Sequence, residues 1–226
     1  MGHRANLVLV ERGTATVYYD HWAARDLSDH LVLGPDYTER WVRQQDPVGE
    51  HPNGGWLDEI WASGGLSVDL DRRRLVWFDL PALNEPGRRQ VIDAMLDRTW
   101  PGWTVRYAER GIGDVAEAAG VPRGRVGDPG PQVRPTPRVD AVESCGMPAA
   151  ITEFLAEFTR VHAADAVHPA IQAMHAFESL LGLPAGMLNP AIADHHPLSA
   201  TSDEVAAVVA HAEELRSHYL AAETGG

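Results

Sequence analysis

The order of apolar and polar residues predicts that the chain begins with a β-hairpin. Residues 4–11 are mostly apolar, Arg12-Gly13 supplies a turn, and residues 14–20 return with many β-branched and aromatic side chains. Residues 66–71 and 74–80 predict a second hairpin, because apolar and polar side chains alternate there as on a half-buried antiparallel sheet. The amino-terminal part is therefore expected to contain a sheet built around two hairpins.

Helical patterns lie between and after these hairpins. A helix is expected through Tyr37 and Trp41 with Asp36 as its N-cap, and a short helical piece is expected over residues 56–65. Pro86 suits the first turn of a longer helix that has one apolar face. The residues of that face are Val91, Ile92, Met95 and Leu96. This order of elements predicts an α+β fold with a mainly antiparallel sheet.

Composition divides the chain into three parts. Residues 1–120 form the α+β part, and residues 121–139 are so rich in Pro, Gly and Arg that they predict a linker or an arm wrapped around the first part. Residues 140–226 are expected to be an acidic helical part, either a separate body or a layer packed on the first. Thr201-x-x-Glu204 is the pattern of a capping box. The predicted helices cover about residues 149–165, 169–182 and 202–222.

The charge of the chain restricts the class of partner. The formal net charge is −13, and residues 140–226 alone carry twelve acidic residues against two arginines. Such a balance argues against general nucleic-acid binding and against binding to acidic membrane surfaces, because both need a basic surface. It favours a basic protein as partner. Every one of the 19 basic residues is Arg, as is typical of a GC-rich bacterial genome.

Cysteine usage and hydropathy indicate the compartment. The single cysteine, Cys145, excludes an internal disulfide and a zinc site with several cysteines. No apolar stretch approaches the roughly 20 residues that a membrane span needs. The start of the chain lacks the charged and then apolar pattern of a secretory signal. A cytoplasmic protein with no membrane partner is the expectation.

Two predicted helices could bring a metal site together. His162 falls about 20° from Ile151 around the helix axis, on the apolar face of the first carboxy-terminal helix, and Asp165 follows three residues later. His175 and Glu178 lie on or beside the apolar stripe of the next helix. Histidines and carboxylates on facing helices are ligands of divalent metals in helical bundles. The alternative is a buried histidine satisfied by one hydrogen bond.

Other histidines carry weaker signals. His211, Glu214 and His218 share one face of the last helix, but that face points about 115° away from the apolar one and is expected to be solvated. Asp194-His195-His196 lies in a predicted loop.

The tryptophans mark a possible contact surface. All seven lie in the amino-terminal half, and Trp56, Trp61, Trp100 and Trp103 could line a ligand cleft or a partner-binding face. Asp20 and His21, at the end of the first hairpin, could belong to the same surface or could serve only to close the hairpin. The same four tryptophans could equally form the core of the sheet domain.

No complete catalytic motif is present. The chain contains no GxSxG, GxxxxGK[ST] or GxGxxG pattern. We therefore expect an acidic protein-interaction module, such as an inhibitor or an immunity-type protein that binds a basic partner. The alternative is a metal-dependent hydrolase that draws its divalent metal ligands from the carboxy-terminal helices, and a third hypothesis is a small-ligand binder that uses the Trp-rich half.

Overall fold

A computed structural model describes residues 3–48, 55–57, 60–122, 124, 126, 146–162, 179–182 and 200–224. Six strands form one sheet in the order β3-β2-β1-β4-β5-β6. The strands are β1 (Ala5–Glu11), β2 (Thr14–Asp20), β3 (Asp46–Pro47), β4 (Gly64–Asp69), β5 (Arg74–Phe78) and β6 (Thr104–Tyr107). β1, β4 and β5 lie in the middle of the sheet, and they supply much of the hydrophobic core.

The first hairpin is confirmed, with its turn at the predicted residues. Arg12 and Gly13 both have positive φ angles, 52° and 72°, as a tight two-residue turn between twisted strands requires. The carboxylate of Asp71, in the turn of the second hairpin, accepts hydrogen bonds from the backbone N–H groups of Arg12 and Gly13 at 2.9 and 2.8 Å. The two hairpin turns are therefore connected by hydrogen bonds.

The α+β class is confirmed, and the sheet is mixed. β1–β2, β2–β3 and β4–β5 are antiparallel, whereas β1–β4 and β5–β6 are parallel. The parallel pairs join the two hairpins to each other and add β6 at one edge. Helices connect the parallel strands because a parallel pair cannot be joined by a tight turn.

Helices cover both faces of the sheet. They are α1 (Leu27–Leu31), α2 (Pro35–Arg43), α3 (Leu80–Asn84), α4 (Pro86–Thr99), α5 (Ile112–Ala118), α6 (Met147–Val161) and α7 (Ser202–Thr224). A Cβ atom added at Gly64 would lie 2.6 Å from Ala24 on one face, and one added at Gly65 would lie 3.3 Å from Ile112 of α5 on the other. A side chain at Gly64 would clash with Ala24, and one at Gly65 would be tightly packed, so this part of β4 has little room for a Cβ atom.

Two of the predicted helices are confirmed with their caps or apolar faces. α4 begins at Pro86, and its four predicted apolar residues are fully buried. The capping box at the start of α7 is formed, because the N–H of Thr201 donates to the Glu204 carboxylate and the N–H of Glu204 donates to the Thr201 hydroxyl.

The carboxy-terminal helices pack on the sheet part. α6 and α7 contact each other and α4, and their apolar residues belong to the same hydrophobic cluster as the sheet. Ion pairs tie α7 to the sheet part at two places, Arg40–Glu204 at 2.6 Å and Arg98–Glu214 at 3.1 Å. Among the described residues, no helix is long and apolar enough to cross a bilayer.

Three local predictions need correction. No helix forms in the described part of residues 56–65; instead Gly64 and Gly65 begin β4. Gly34, with a φ angle of 90°, is the residue that precedes α2, so Asp36 lies inside that helix and does not cap it. The helix predicted over 149–165 runs from Met147 to Val161. The helix predicted over 169–182 and the linker over 121–139 lie mostly outside the described residues.

Candidate functional site

Asp20 serves the backbone at the end of β2. It is buried, and its carboxylate accepts hydrogen bonds from the N–H groups of Trp22 and Ala23 at 2.6 and 2.7 Å. This arrangement satisfies two donors at the start of the short helical turn that follows. His21 is half-buried, and its Nδ1 lies 2.9 Å from the Tyr19 hydroxyl. The side chains of Asp20 and His21 therefore both make hydrogen bonds that stabilise the turn after β2.

The four tryptophans differ in exposure. Trp56 and Trp100 are buried in the hydrophobic core, and the indole N–H of Trp100 donates to the backbone oxygen of Leu31 at 2.8 Å. Trp103 is half-buried, with its ring 4.9 Å from that of Trp100. Trp61 alone among the four is largely exposed, at 57%, and the guanidinium of Arg4 lies over its ring at 4.8 Å.

His162 lies where α6 meets α1. Its Nε2 is 3.1 Å from the backbone oxygen of Asp29, and its ring is 5.4 Å from that of His30. Burial lowers the pKa of His162. The other three residues of the predicted metal site, Asp165, His175 and Glu178, lie outside the described residues, as do Cys145 and Asp194-His195-His196. In the described ranges, no group of three or more His, Cys, Asp or Glu side chains is arranged to hold a metal ion.

The His/Glu face of α7 is mostly exposed. Glu214 is exposed and pairs with Arg98 of α4, and His218 is exposed beside the ring of Tyr219. His211 is half-buried. The expected solvation of this face is therefore observed for two of its three residues.

A buried ion pair lies beneath α6. The carboxylate of Asp29 receives both hydrogen bonds from one amino group of Arg88, at 2.6 and 2.8 Å. Asp29 is fully buried, and this burial raises its pKa although Arg88 acts in the opposite direction. The pair joins α1 to α4 and is part of the packing between helices.

An open cleft of about 350 Å³ lies between α4 and the edge strand β6. We call it the edge groove. Three side chains of α4 line it at intervals of four residues, which places them on one flank of that helix. The residues of the groove are Arg89, Asp93, Asp97, Val105, Arg106, Tyr107 and Glu109. It combines carboxylates with a sheet edge.

Carboxylates dominate the charge on the α4 side of the edge groove. Arg89 pairs with Glu109 and lies 3.7 Å from the Asp93 carboxylate, so its charge is shared between two acids. Asp97 is exposed and makes no ion pair with any described residue. Burial raises the pKa of Asp93 to about 6, and the neighbouring Asp97 and Glu109 add to this effect while Arg89 opposes it. The raised pKa therefore reflects mainly the partial burial of the Asp93 carboxylate.

The strand that borders the edge groove has one unpaired side. β6 is the last strand of the sheet and pairs with β5 alone in the described structure. The N–H groups of Thr104 and Ala108 donate to backbone oxygens of the β5 side, both at 2.8 Å. Because the backbone alternates along a strand, the N–H and C=O groups of Val105 and Tyr107 point away from the sheet.

Sequence reasoning did not find the edge groove. Its signal was present in part, since Arg89, Asp93 and Asp97 recur every four residues on a helix whose apolar face was recognised. What the pattern could not supply was that β6 forms a sheet edge beside that flank. Comparisons of the chain with models of protein families, with curated proteins and with solved structures found no match.

Proposed function

We propose that this protein is a non-catalytic binding module that holds a basic segment of a protein partner in the edge groove. The observation that carries the proposal is the juxtaposition of Asp93, Asp97 and Glu109 with a strand edge that no other described strand covers. Carboxylates at a rim select cationic side chains and reject acidic ones.

The electrostatics of the groove support a cationic ligand. A Lys or Arg of the partner would meet Asp97, which has no ion-pair partner in the described structure, and Asp93, whose partly buried carboxylate has a raised pKa that a nearby cation would lower. The net charge of −13 would also steer a basic protein toward this molecule from a distance. Steering of this kind raises the association rate and weakens with salt.

A metal-dependent hydrolase is the competing function. It depends on His162 together with three residues outside the described ranges, and the Nε2 of His162 already faces the backbone oxygen of Asp29. Elemental analysis of the purified, untagged protein tests this alternative. Near-stoichiometric zinc, iron or manganese that is lost in His162→Ala would replace the binding proposal with the hydrolase.

The binding proposal is tested with a defined peptide. A fluorescent peptide of about nine residues, with Arg and Val alternating, is titrated with the protein and followed by anisotropy, and a peptide with Glu in place of Arg serves as the charge control. We expect saturable binding of the Arg peptide only. The double variant Asp93→Asn/Asp97→Asn should weaken this binding about tenfold, which corresponds to about 1.4 kcal/mol.

A charge-matched variant separates the groove from the net charge. Asp36 is an exposed residue of α2 and Asp203 is an exposed residue of α7, so Asp36→Asn/Asp203→Asn changes the total charge by the same amount outside the groove. This variant should bind the Arg peptide as the unmodified protein does. Equal weakening by both double variants, or no saturable binding of the Arg peptide, would refute the proposed function.

A further inference from the structure

We infer that the basic segment binds as an additional strand that pairs with the outer edge of β6. The protein would select a segment in which cationic side chains alternate with other residues. This inference rests on the proposed function and specifies the kind of ligand. An extended peptide that extends a sheet is held by backbone hydrogen bonds and is selected by its alternate side chains.

The outer edge of β6, with which no other described strand pairs, provides the hydrogen bonds. Thr104 and Ala108 donate toward β5, so Val105 and Tyr107 present their N–H and C=O groups on the outer side. An added strand would lie about 4.8 Å from β6. At this distance it would occupy the mouth of the edge groove, which Val105 and Tyr107 line.

The spacing of the α4 carboxylates matches the repeat of a strand. Asp93 and Asp97 are four residues apart on a helix, which is about 6 Å along its axis. Side chains on one face of a strand recur at about 6.6 Å, every second residue. α4 connects the parallel strands β5 and β6 and so runs back alongside them. Two cationic side chains at alternate positions of the ligand can therefore each meet one carboxylate.

The opposite face of β6 has a different charge. Val105 and Tyr107 point toward α4. Arg106 also contributes to the lining of the edge groove, but the alternation of the strand directs its side chain to the other face, where it lies 3.4 Å from Asp114 of α5. Arg106 remains 49% exposed. A cation of the ligand on this face would meet a like charge, so the intervening positions should be uncharged or acidic. The ligand class is thus an extended segment with Lys or Arg at every second position.

Peptide variants of one composition test the alternation. The alternating Arg/Val peptide is compared with a peptide in which the same residues are grouped as a run of Arg followed by a run of Val. If the ligand adds as a strand, the grouped peptide should bind about tenfold more weakly, because its cations cannot all lie on the α4 face. Equal binding of both peptides would overturn the strand inference, although the proposed function would stand.

Backbone methylation tests the strand pairing itself. Two peptides carry N-methyl groups on either the Arg or the Val positions, which removes the N–H groups of one edge of the strand at a time. One of them should bind like the unmodified peptide, and the other should lose at least about tenfold in affinity. If methylation of the Arg positions reduces the affinity, the peptide pairs antiparallel with β6. If methylation of the Val positions reduces the affinity, the pairing is parallel.

An NMR measurement on the protein completes the test. In the ¹⁵N-labelled protein, the amides of Val105 and Tyr107 should become protected from hydrogen exchange when the Arg/Val peptide is bound, whereas that of Thr104 is already bonded to the β5 side. If both methylated peptides bind normally and these two amides exchange as in the free protein, strand addition is excluded. If the unmodified peptide does not bind at all, the proposed function itself has failed.

Discussion

The guanidinium carbon of Arg89 lies 3.8 Å from the centroid of the Tyr107 ring, over the face of that ring. The same guanidinium pairs with Glu109 and lies near Asp93. Arg89 therefore has two roles that oppose each other: it stabilises the junction of α4 and β6, and it reduces the negative charge of the edge groove. These roles can be separated by substitution.

Arg89→Leu should lower stability but raise affinity for the Arg/Val peptide. The variant loses a cation–π contact and two partly exposed ion pairs, which together contribute about 1 kcal/mol to folding. It also removes the positive charge of Arg89 that lies near Asp93 and Glu109, so a cation of the peptide can take its place. Urea unfolding and peptide anisotropy measure the two effects.

Arg98→Leu is the matched control for this prediction. Arg98 lies on the same helix and has the same charge, but it pairs with Glu214 of α7 and does not line the edge groove. Its substitution should leave the affinity for the peptide nearly unchanged. A similar rise in both variants would show that net charge, and not the groove, controls binding.

The affinity for the Arg/Val peptide should increase from about pH 5 to about pH 7, because Asp93 loses its proton in this range. Its pKa in the free protein is about 6, and a bound cation favours the charged form and so lowers this pKa. Binding near pH 6 should therefore release a proton. Calorimetry in two buffers of different ionisation enthalpy measures that release, and Asp93→Asn should abolish most of it.

The raised pKa of Asp93 also determines how this residue affects folding stability as the pH changes. The folded state holds the proton of Asp93 more tightly than the unfolded state, whose pKa is near 3.8, so this residue favours folding at low pH and the advantage is lost as the pH rises to about 6. Above that pH the charged carboxylate opposes folding. The change in the free energy of unfolding caused by Asp93→Asn should therefore be more favourable at pH 7 than at pH 4. Because the side chain is 46% exposed, solvent screens the effect and it should be small.

Asp29 and Arg88 should be strongly coupled in folding. Arg88→Leu leaves the buried carboxylate of Asp29 without its only described ion-pair partner and is expected to cost about 3–5 kcal/mol. The double variant Asp29→Leu/Arg88→Leu should recover most of this loss, since no buried charge remains. Urea denaturation of the four proteins of this cycle gives the coupling energy. Additive losses in the two single variants would contradict the prediction.

Local sequence patterns were sufficient for the elements whose stability is local. The turn at Arg12-Gly13, the start of α4 at Pro86 and the capping box at Thr201 each depend on residues within a few positions of one another, and each is observed. The expected helix over 56–65 failed because tertiary packing decided it. Gly64 and Gly65 look like a helix stop, but their lack of Cβ atoms allows β4 to approach Ala24 and α5.

Local sequence patterns could not predict the candidate site, because it forms only when α4 and β6 are brought together in the folded structure. Nothing in the residues of β6 indicates that it pairs in parallel with β5 and ends the sheet, and this pairing is what sets Asp93 and Asp97 beside an open strand. The tryptophan pattern was ambiguous for a related reason. Composition cannot distinguish Trp100, which is 2% exposed, from Trp61, because that difference depends on the tertiary packing around each ring.

Trp61→Ala and Trp100→Ala should differ sharply in stability. Trp100 fills the core and donates a hydrogen bond to Leu31, so its removal should cost about 3–5 kcal/mol. Trp61 is 57% exposed, so its removal exposes little core, and we expect a loss of at most about 1 kcal/mol, to which the contact with Arg4 contributes. Thermal and urea unfolding measure both. Because Trp61 does not line the edge groove, Trp61→Ala should also keep its affinity for the Arg/Val peptide, and a large loss there would mean that the peptide binds around Trp61 instead.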